Sequence, residues 1–201
     1  MADNIILNDK IYNLIDNDLP CLVVYSEKAG GSHFTVTMIT DLFLQGKKIL
    51  FLTAYPMAKD NFLEQIKDFF GKTIYITDKK QLDDTPGIII ESGNEELFLE
   101  ALKLLPDIKE RIILIKNMEV FSQTVFDACL DFPNLILSGD IDKCVAKEQI
   151  IKKVYKTIVV FSKPQIKLGF EIPALEKYVG YWWNQDNKGL VKIKMGERKI
   201  N

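Results

Sequence analysis

The segment Cys21-Leu22-Val23-Val24-Tyr25-Ser26-Glu27-Lys28-Ala29-Gly30-Gly31-Ser32-His33-Phe34-Thr35 changes character twice within a few residues. Cys21 to Tyr25 is a short, continuous apolar run of the kind found in a strand buried on both faces. Ser26 to Ser32 carries Ala29-Gly30-Gly31 and predicts a loop. From Phe34 to Leu44, Met38, Ile39, Leu42 and Phe43 recur at helical spacing. A buried strand, a glycine-containing loop and a helix in that order make the opening unit of a parallel α/β sheet.

The same alternation continues outward. Before the segment, Ile6, Ile11, Leu14 and Ile15 predict a short leading helix that ends near Asn17, ahead of Pro20. After it, Lys48 to Thr53 is a second buried strand and Met57 to Phe70 a second long helix beginning just after Pro56. Thr73 to Thr77 and Gly87 to Glu91 read as strands. Asn94 to Leu105 reads as a helix, with Asn94 as its cap ahead of Glu95 and Glu96. Arg111 to Lys116 predicts a strand, Val120 to Leu130 a helix, Leu135 to Ser138 a strand, Val145 to Tyr155 a helix and Thr157 to Phe161 a strand. At the C-terminal end the pattern becomes a hairpin, with arms Tyr178 to Trp183 and Leu190 to Met195 around a turn-rich hexapeptide beginning at Asn184. In its second arm Val191, Ile193 and Met195 alternate with Lys192 and Lys194, one face buried and one wet. The expected fold is a three-layer α/β sandwich with a mainly parallel sheet, as one domain over residues 1–201 that includes the hairpin at about 178–195.

Composition removes several function classes. Of 201 residues, 47% are hydrophobic and 27% charged, which is ordinary for a globular chain and excludes disorder and collagen-like repeats. Twenty-six basic and 28 acidic residues leave a net charge of -2, with no global pull toward nucleic acid or an acidic membrane. There is no uncharged run long enough to span a bilayer and no basic-then-apolar leader, so the expected location is cytoplasmic, without membrane insertion. The three cysteines, Cys21, Cys129 and Cys144, are too scattered for a disulfide framework or a CxxC site. His33, the one histidine, makes a Cys/His zinc site in a single chain improbable.

In a parallel sheet, ligands gather at the carboxyl ends of the strands, so the loop at 26–33 is the first candidate site. Strand, eight-residue loop and helix are also the architecture of a P-loop, and the order of the later elements resembles the RecA/KaiC-like branch of P-loop ATPases down to the closing hairpin. That resemblance implies a G-x-x-x-x-G-K-[ST] motif, which lies on Ser26 to His33. Gly31 alone matches: Ser26 stands for the first glycine, Ser32 for the phosphate-binding lysine and His33 for the magnesium-binding hydroxyl. The resemblance also implies an acid closing the strand Ile112 to Ile115, where Lys116 and Asn117 follow, and a glutamate near Ala54-Tyr55-Pro56, where there is none. Magnesium-dependent hydrolysis is therefore not expected, because lysine and metal-anchoring acid are both absent.

What remains is backbone chemistry. Gly30 and Gly31 ahead of a helix offer amide N–H groups and a helix dipole to an anion, with Lys28 and Lys116 as sources of charge. The candidate ligand site is Lys28, Gly30, Gly31, Ser32, His33 and Lys116, taking ATP or another phosphate ligand without magnesium; the bland alternative is a tight turn inherited with the fold. Lys116 ends a buried strand and needs solvent, a ligand or a carboxylate such as Asp140 or Glu91. Asp140 and Asp142 are candidates for a metal but equally for a turn and helix cap. Glu91-Ser92-Gly93, at the end of another strand, reads the same way.

The leading expectation is thus a catalytically degenerate RecA-like domain that works by binding or assembly, as a homo-oligomer or beside an active ATPase paralogue, as the resemblance implies. A second is an ATPase with non-standard phosphate and metal ligands. A third is nucleic-acid binding by the hairpin, where Tyr178, Tyr181, Trp182 and Trp183 stand near Lys188, Lys192 and Lys194. Trp182 and Trp183, adjacent in a strand, face opposite ways, so one marks a subunit contact unless the hairpin is covered on both sides.

Overall fold

The structure, a computed structural model, describes residues 5–6, 19–27, 29–55, 73–76, 86–186 and 189–195. Ten strands among these form one sheet: β1 (Ile5–Ile6), β2 (Cys21–Val24), β3 (Ile49–Thr53), β4 (Thr73–Ile76), β5 (Gly87–Ile90), β6 (Ile112–Lys116), β7 (Leu135–Gly139), β8 (Thr157–Val160), β9 (Val179–Asn184) and β10 (Leu190–Lys194). Their order across the sheet is β1-β10-β9-β8-β2-β7-β6-β3-β5-β4. From β8 to β4 every pairing is parallel; β9 runs antiparallel to β8 and β10, as the hairpin predicts. β2, the strand that leads into the loop, lies between β8 and β7, well inside the sheet.

Parallel strands leave both faces to be covered, and alternate side chains of each strand serve the two layers. On one face Cys21 and Val23 of β2, Ile49 and Phe51 of β3, Ile112 and Leu114 of β6, and Val159 of β8 meet α1 (Gly31–Leu44) through Phe34, Met38, Ile39 and Leu42. On the other, Leu22, Leu50, Ile113 and Leu137 meet α2 (Glu95–Leu104), α3 (Gln123–Cys129) and α4 (Lys147–Lys152). The cap expected at Asn94 is present: its side chain accepts the Leu97 N–H at 3.1 Å. A long connection between β8 and β9 also lies on this second face, with the half-buried Ile166, Leu168, Phe170 and Ile172 packed against the core. The Asp142 carboxylate pins it by accepting the N–H groups of Gln165, at 2.8 Å, and Ile166, at 3.3 Å.

Several boundaries differ from those the sequence suggests. Ile6, read as part of a leading helix, belongs to β1 and pairs with Lys194; the rest of that helix, and the helix expected at Met57 to Phe70, lie outside the described residues. α1 begins at Gly31 rather than Phe34, because Gly30 supplies the turn that starts it. The helices expected at 120–130 and 145–155 shorten to α3 and α4, preceded by 3-10 turns at Met118–Val120 and Ile141–Lys143. The tryptophans do face opposite ways, and the hairpin is covered on both sides. Trp182 is buried near Phe34, 6.3 Å away and edge-on, while Trp183 stacks on Phe170 at 5.2 Å. Trp182 thereby loses the free ring face that stacking on nucleic acid requires.

One buried charge anchors the amino end of β6. The Arg111 side chain is 0% exposed and donates to Asp107 Oδ1 at 2.8 Å, while Lys48 donates to Oδ2 at 2.6 Å. Burial pushes the Asp107 pKa upward, but hydrogen bonds from Lys48 and Arg111 outweigh it and hold it down to about 2. The folded value lies below that of the unfolded chain, so this contribution is fully present above about pH 4 and is lost as pH falls toward 2. Asp107→Asn, which leaves a guanidinium buried against a neutral partner, is expected to cost roughly 3 kcal/mol and to flatten the loss of stability between about pH 4 and 2. Urea unfolding across that pH range measures both effects.

Candidate functional site

The loop after β2 is shaped by aromatic rings on two sides. Gly30 has φ +100°, a conformation that side-chain-bearing residues rarely adopt, and it caps α1 without a side-chain hydrogen bond. A Cβ there would stand 3.3 Å from Tyr178 Cδ1 and 3.7 Å from Phe161 Cδ1. Gly31 is constrained by space rather than by φ: a Cβ would overlap the Tyr25 ring. The two glycines are thus held between Tyr178 and Tyr25. No acidic side chain occupies the first turn of α1, so nothing there neutralises the positive end of the helix dipole. Ser32 and His33 are half-buried in that first turn, with the His33 carbonyl accepting the Thr37 hydroxyl at 3.1 Å. Lys28 lies outside the described residues.

Beneath the helix start, polar side chains line up along the carboxyl edge of the sheet. Thr53, Lys116 and Ser138 are register partners across β3, β6 and β7 and continue the alternation toward the α1 face. Ser138 Oγ lies 2.7 Å from Thr35 Oγ1 and 3.3 Å from the Tyr25 hydroxyl, and Thr35 also donates to the Gly31 carbonyl at 2.9 Å. This chain of hydroxyls ties the α1 start to the middle of the sheet. Lys116 is only 2% exposed and donates to Asn117 Oδ1 at 3.5 Å. Thr53 is fully buried and its hydroxyl has no hydrogen-bond partner.

The acids near this edge are engaged within the protein. Asp140 caps the following 3-10 turn by accepting the Asp142 N–H at 3.2 Å and pairs with Lys143 at 3.2 Å. Its own N–H donates to Glu119 Oε2 at 2.9 Å. Lys143 has a raised pKa, first through its hydrogen bond to Asp140, with the charges of Glu27 and Glu119 acting in the same direction. Asp140 and Asp142 therefore serve as turn and strap ligands. The magnesium implied by the sequence resemblance does not fit: an ammonium stands at the strand end that would anchor it, and no three His, Cys, Asp or Glu side chains among the described residues converge on a metal-sized site.

With this geometry in place, comparison with solved structures is informative about the fold. The chain is similar to the genome packaging NTPase B204 from Sulfolobus turreted icosahedral virus 2 in complex with sulfate. The TM-score is 0.65 at 12% identity, over 90% of this chain and 98% of that one. The same NTPase in complex with ATP-gammaS gives a TM-score of 0.61, also at 12% identity, over 87% and 96% of the two chains. The chain shares the fold of that packaging NTPase. No family model matches the sequence, and no curated protein matches it. Within this fold, β2 is the strand that leads into the loop and α1 the helix that leaves it.

The sequence pointed to Gly30, Gly31, Ser32, His33 and Lys116, and the structure brings the first four to one helix start with Lys116 buried at the same sheet edge. It did not single out Tyr25, Thr35 or Thr53, nor Ser138 as a hydroxyl donor or acceptor. A tyrosine closing an otherwise aliphatic strand was the one available signal for Tyr25. The contacts give different reasons for the two glycines. Gly30→Ala is expected to cost roughly 1–2 kcal/mol through backbone strain, and Gly31→Ala about 1–3 kcal/mol through overpacking on Tyr25. Chemical denaturation of the two variants checks both values.

Proposed function

We infer that this chain is a non-hydrolysing member of the P-loop fold. It holds a nucleotide or other phosphate ligand on the α1 amides without magnesium and acts through binding and assembly. The observation that carries the reading is the pairing of two features: an uncapped, acid-free α1 start at Gly30, and a buried lysine at the strand end where a hydrolase places its metal-anchoring acid. The N–H groups of Gly31, Ser32 and His33 are first-turn donors suited to phosphate oxygens, and Lys116 adds positive charge from below. The RecA/KaiC-like resemblance supports the assembly half, since members of that branch work as rings or filaments. The viral packaging NTPase, whose complexes include ATP-gammaS and AMPPCP, supports a nucleotide as the ligand.

A second reading is favoured by the contacts of the glycines themselves: with Tyr178 on one side and Tyr25 on the other, the loop serves only as a packing element. Thermal shift with ATP, ADP and inorganic phosphate, each with and without magnesium, separates the two. At a ligand concentration a hundred times its dissociation constant, binding adds about 2.7 kcal/mol, enough to raise the midpoint by several degrees. The expected result is a shift that magnesium does not change and that Ser32→Glu abolishes. A glutamate in the first turn is compatible with the helix dipole but competes with an anion. Phosphate release from ATP is expected to stay at background. A magnesium-dependent shift accompanied by hydrolysis would overturn the reading, and no shift with any ligand would leave the packing role.

A further inference from the structure

The sheet face opposite α1 carries a recess toward the other end of β2 from the glycine loop. Leu22, Ile158 and Trp183 are register partners across β2, β8 and β9 and form one side of it. Ile151 of α4 and Leu168 of the β8–β9 connection add further apolar surface, and the volume is about 150 Å³. An apolar cavity of that size accepts a benzene-sized guest. The Trp183 ring is held in place by Phe170, which stacks on it at 5.2 Å and 7° from parallel.

The rest of the wall is polar, with Lys153, Tyr155 and the exposed Gln185. Lys153 and Tyr155 stand two residues apart around the 66% exposed Val154, so both side chains turn inward while the valine turns out. Tyr155 is buried and its hydroxyl has no hydrogen-bond partner. The half-buried Lys153 ammonium has three donors and uses one of them, on the Leu130 carbonyl. Burial lowers its pKa and the charge of Asp131 opposes that shift, but no carboxylate among the described residues forms an ion pair with it. The surroundings are basic as well: from Gln149 to Phe170 the chain holds five lysines and no acid. A partly desolvated ammonium without a carboxylate partner, set beside apolar walls, is an arrangement that an amphiphilic anion completes.

We propose that this recess binds a small carboxylic acid with an apolar body of about benzene size, its carboxylate on the Lys153 ammonium and its body against Trp183 and Leu168. The lysine selects an anion, the mixed wall suits a ligand with one polar and one apolar end, and the volume limits the body to one ring or a short branched chain. Leu168 and Phe170 belong to the connection that Asp142 pins, so the ligand also ties that connection to the sheet. The site stands apart from the α1 start, and neither reading depends on the other.

A nuclear magnetic resonance titration of the full chain tests the site, followed at the Trp183 indole N–H and the Gln185 side-chain amide. The probes are benzoate, benzyl alcohol and benzylamine, which share one ring and differ in charge. Benzoate is expected to saturate both signals in the millimolar range, about tenfold more tightly than benzyl alcohol, because its hydrogen bond to the ammonium joins two charges. Benzylamine, with the wrong charge, should not bind. Lys153→Gln keeps a donor for the Leu130 carbonyl and removes the charge, so it should bring benzoate down to the level of benzyl alcohol. The ranking of the three probes on the wild-type chain needs no variant and stands even if that substitution disturbs folding. Equal binding of all three, no change at Trp183 up to about 50 mM benzoate, or unaltered benzoate affinity in a folded Lys153→Gln would each overturn the proposal. So would benzoate shifts confined to Gly31, Ser32 and His33, which would place the anion at the α1 start instead.

Discussion

The close approach of α1 to Tyr25 governs the layout of this molecule. The helix enters directly over the ring because residue 31 has no Cβ, and it turns into that position because residue 30 takes a left-handed backbone. From there Thr35 reaches Ser138, and Phe34, Met38, Ile39 and Leu42 fall onto the sheet. A larger residue at 31 would lift the helix start, separating Thr35 from Ser138 and exposing part of one core layer. The glycine pair is thus a packing requirement before it is anything chemical, and any ligand must use what that packing leaves: the amides of the first turn.

The same constraint explains why the fold was more legible than the site. Buried parallel strands announce themselves as runs such as Ile112 to Ile115, and the hairpin as the alternation of Val191, Ile193 and Met195. Both are local patterns, and both elements are present in the sheet. The boundaries slipped where a neighbour rather than the local sequence decides. Ile6 has helical spacing but joins β10 across nearly the whole chain. The sequence also exposed Lys116, because a lysine after four aliphatic residues breaks a pattern. It could not reveal that Thr53, Lys116 and Ser138 stand in register, since that depends on the order of strands that lie far apart in the chain.

At the carboxyl edge the acidic side chains are engaged inside the protein. Asp140 caps a turn and neutralises Lys143, Asp142 holds the strap, and Glu119 accepts a backbone N–H. Each of these carboxylates has an internal partner, which is the condition under which charge persists in a partly buried site. A buried lysine in such a setting disfavours a divalent cation at the same strand end.

β1 pairs with β10, so the first described strand finds its place beside the last. β2 likewise sits between β7 and β8, strands that come five and six places after it in chain order. During synthesis from the N-terminus, the strand that carries the glycine loop emerges well before either of its neighbours exists. It cannot be sheltered in the sheet until β7 and β8 have followed, and the outer edge at β10 is closed only after that. A chain built this way commits late, and a halted or truncated product lacking β8 would expose one side of the very strand on which the loop is built.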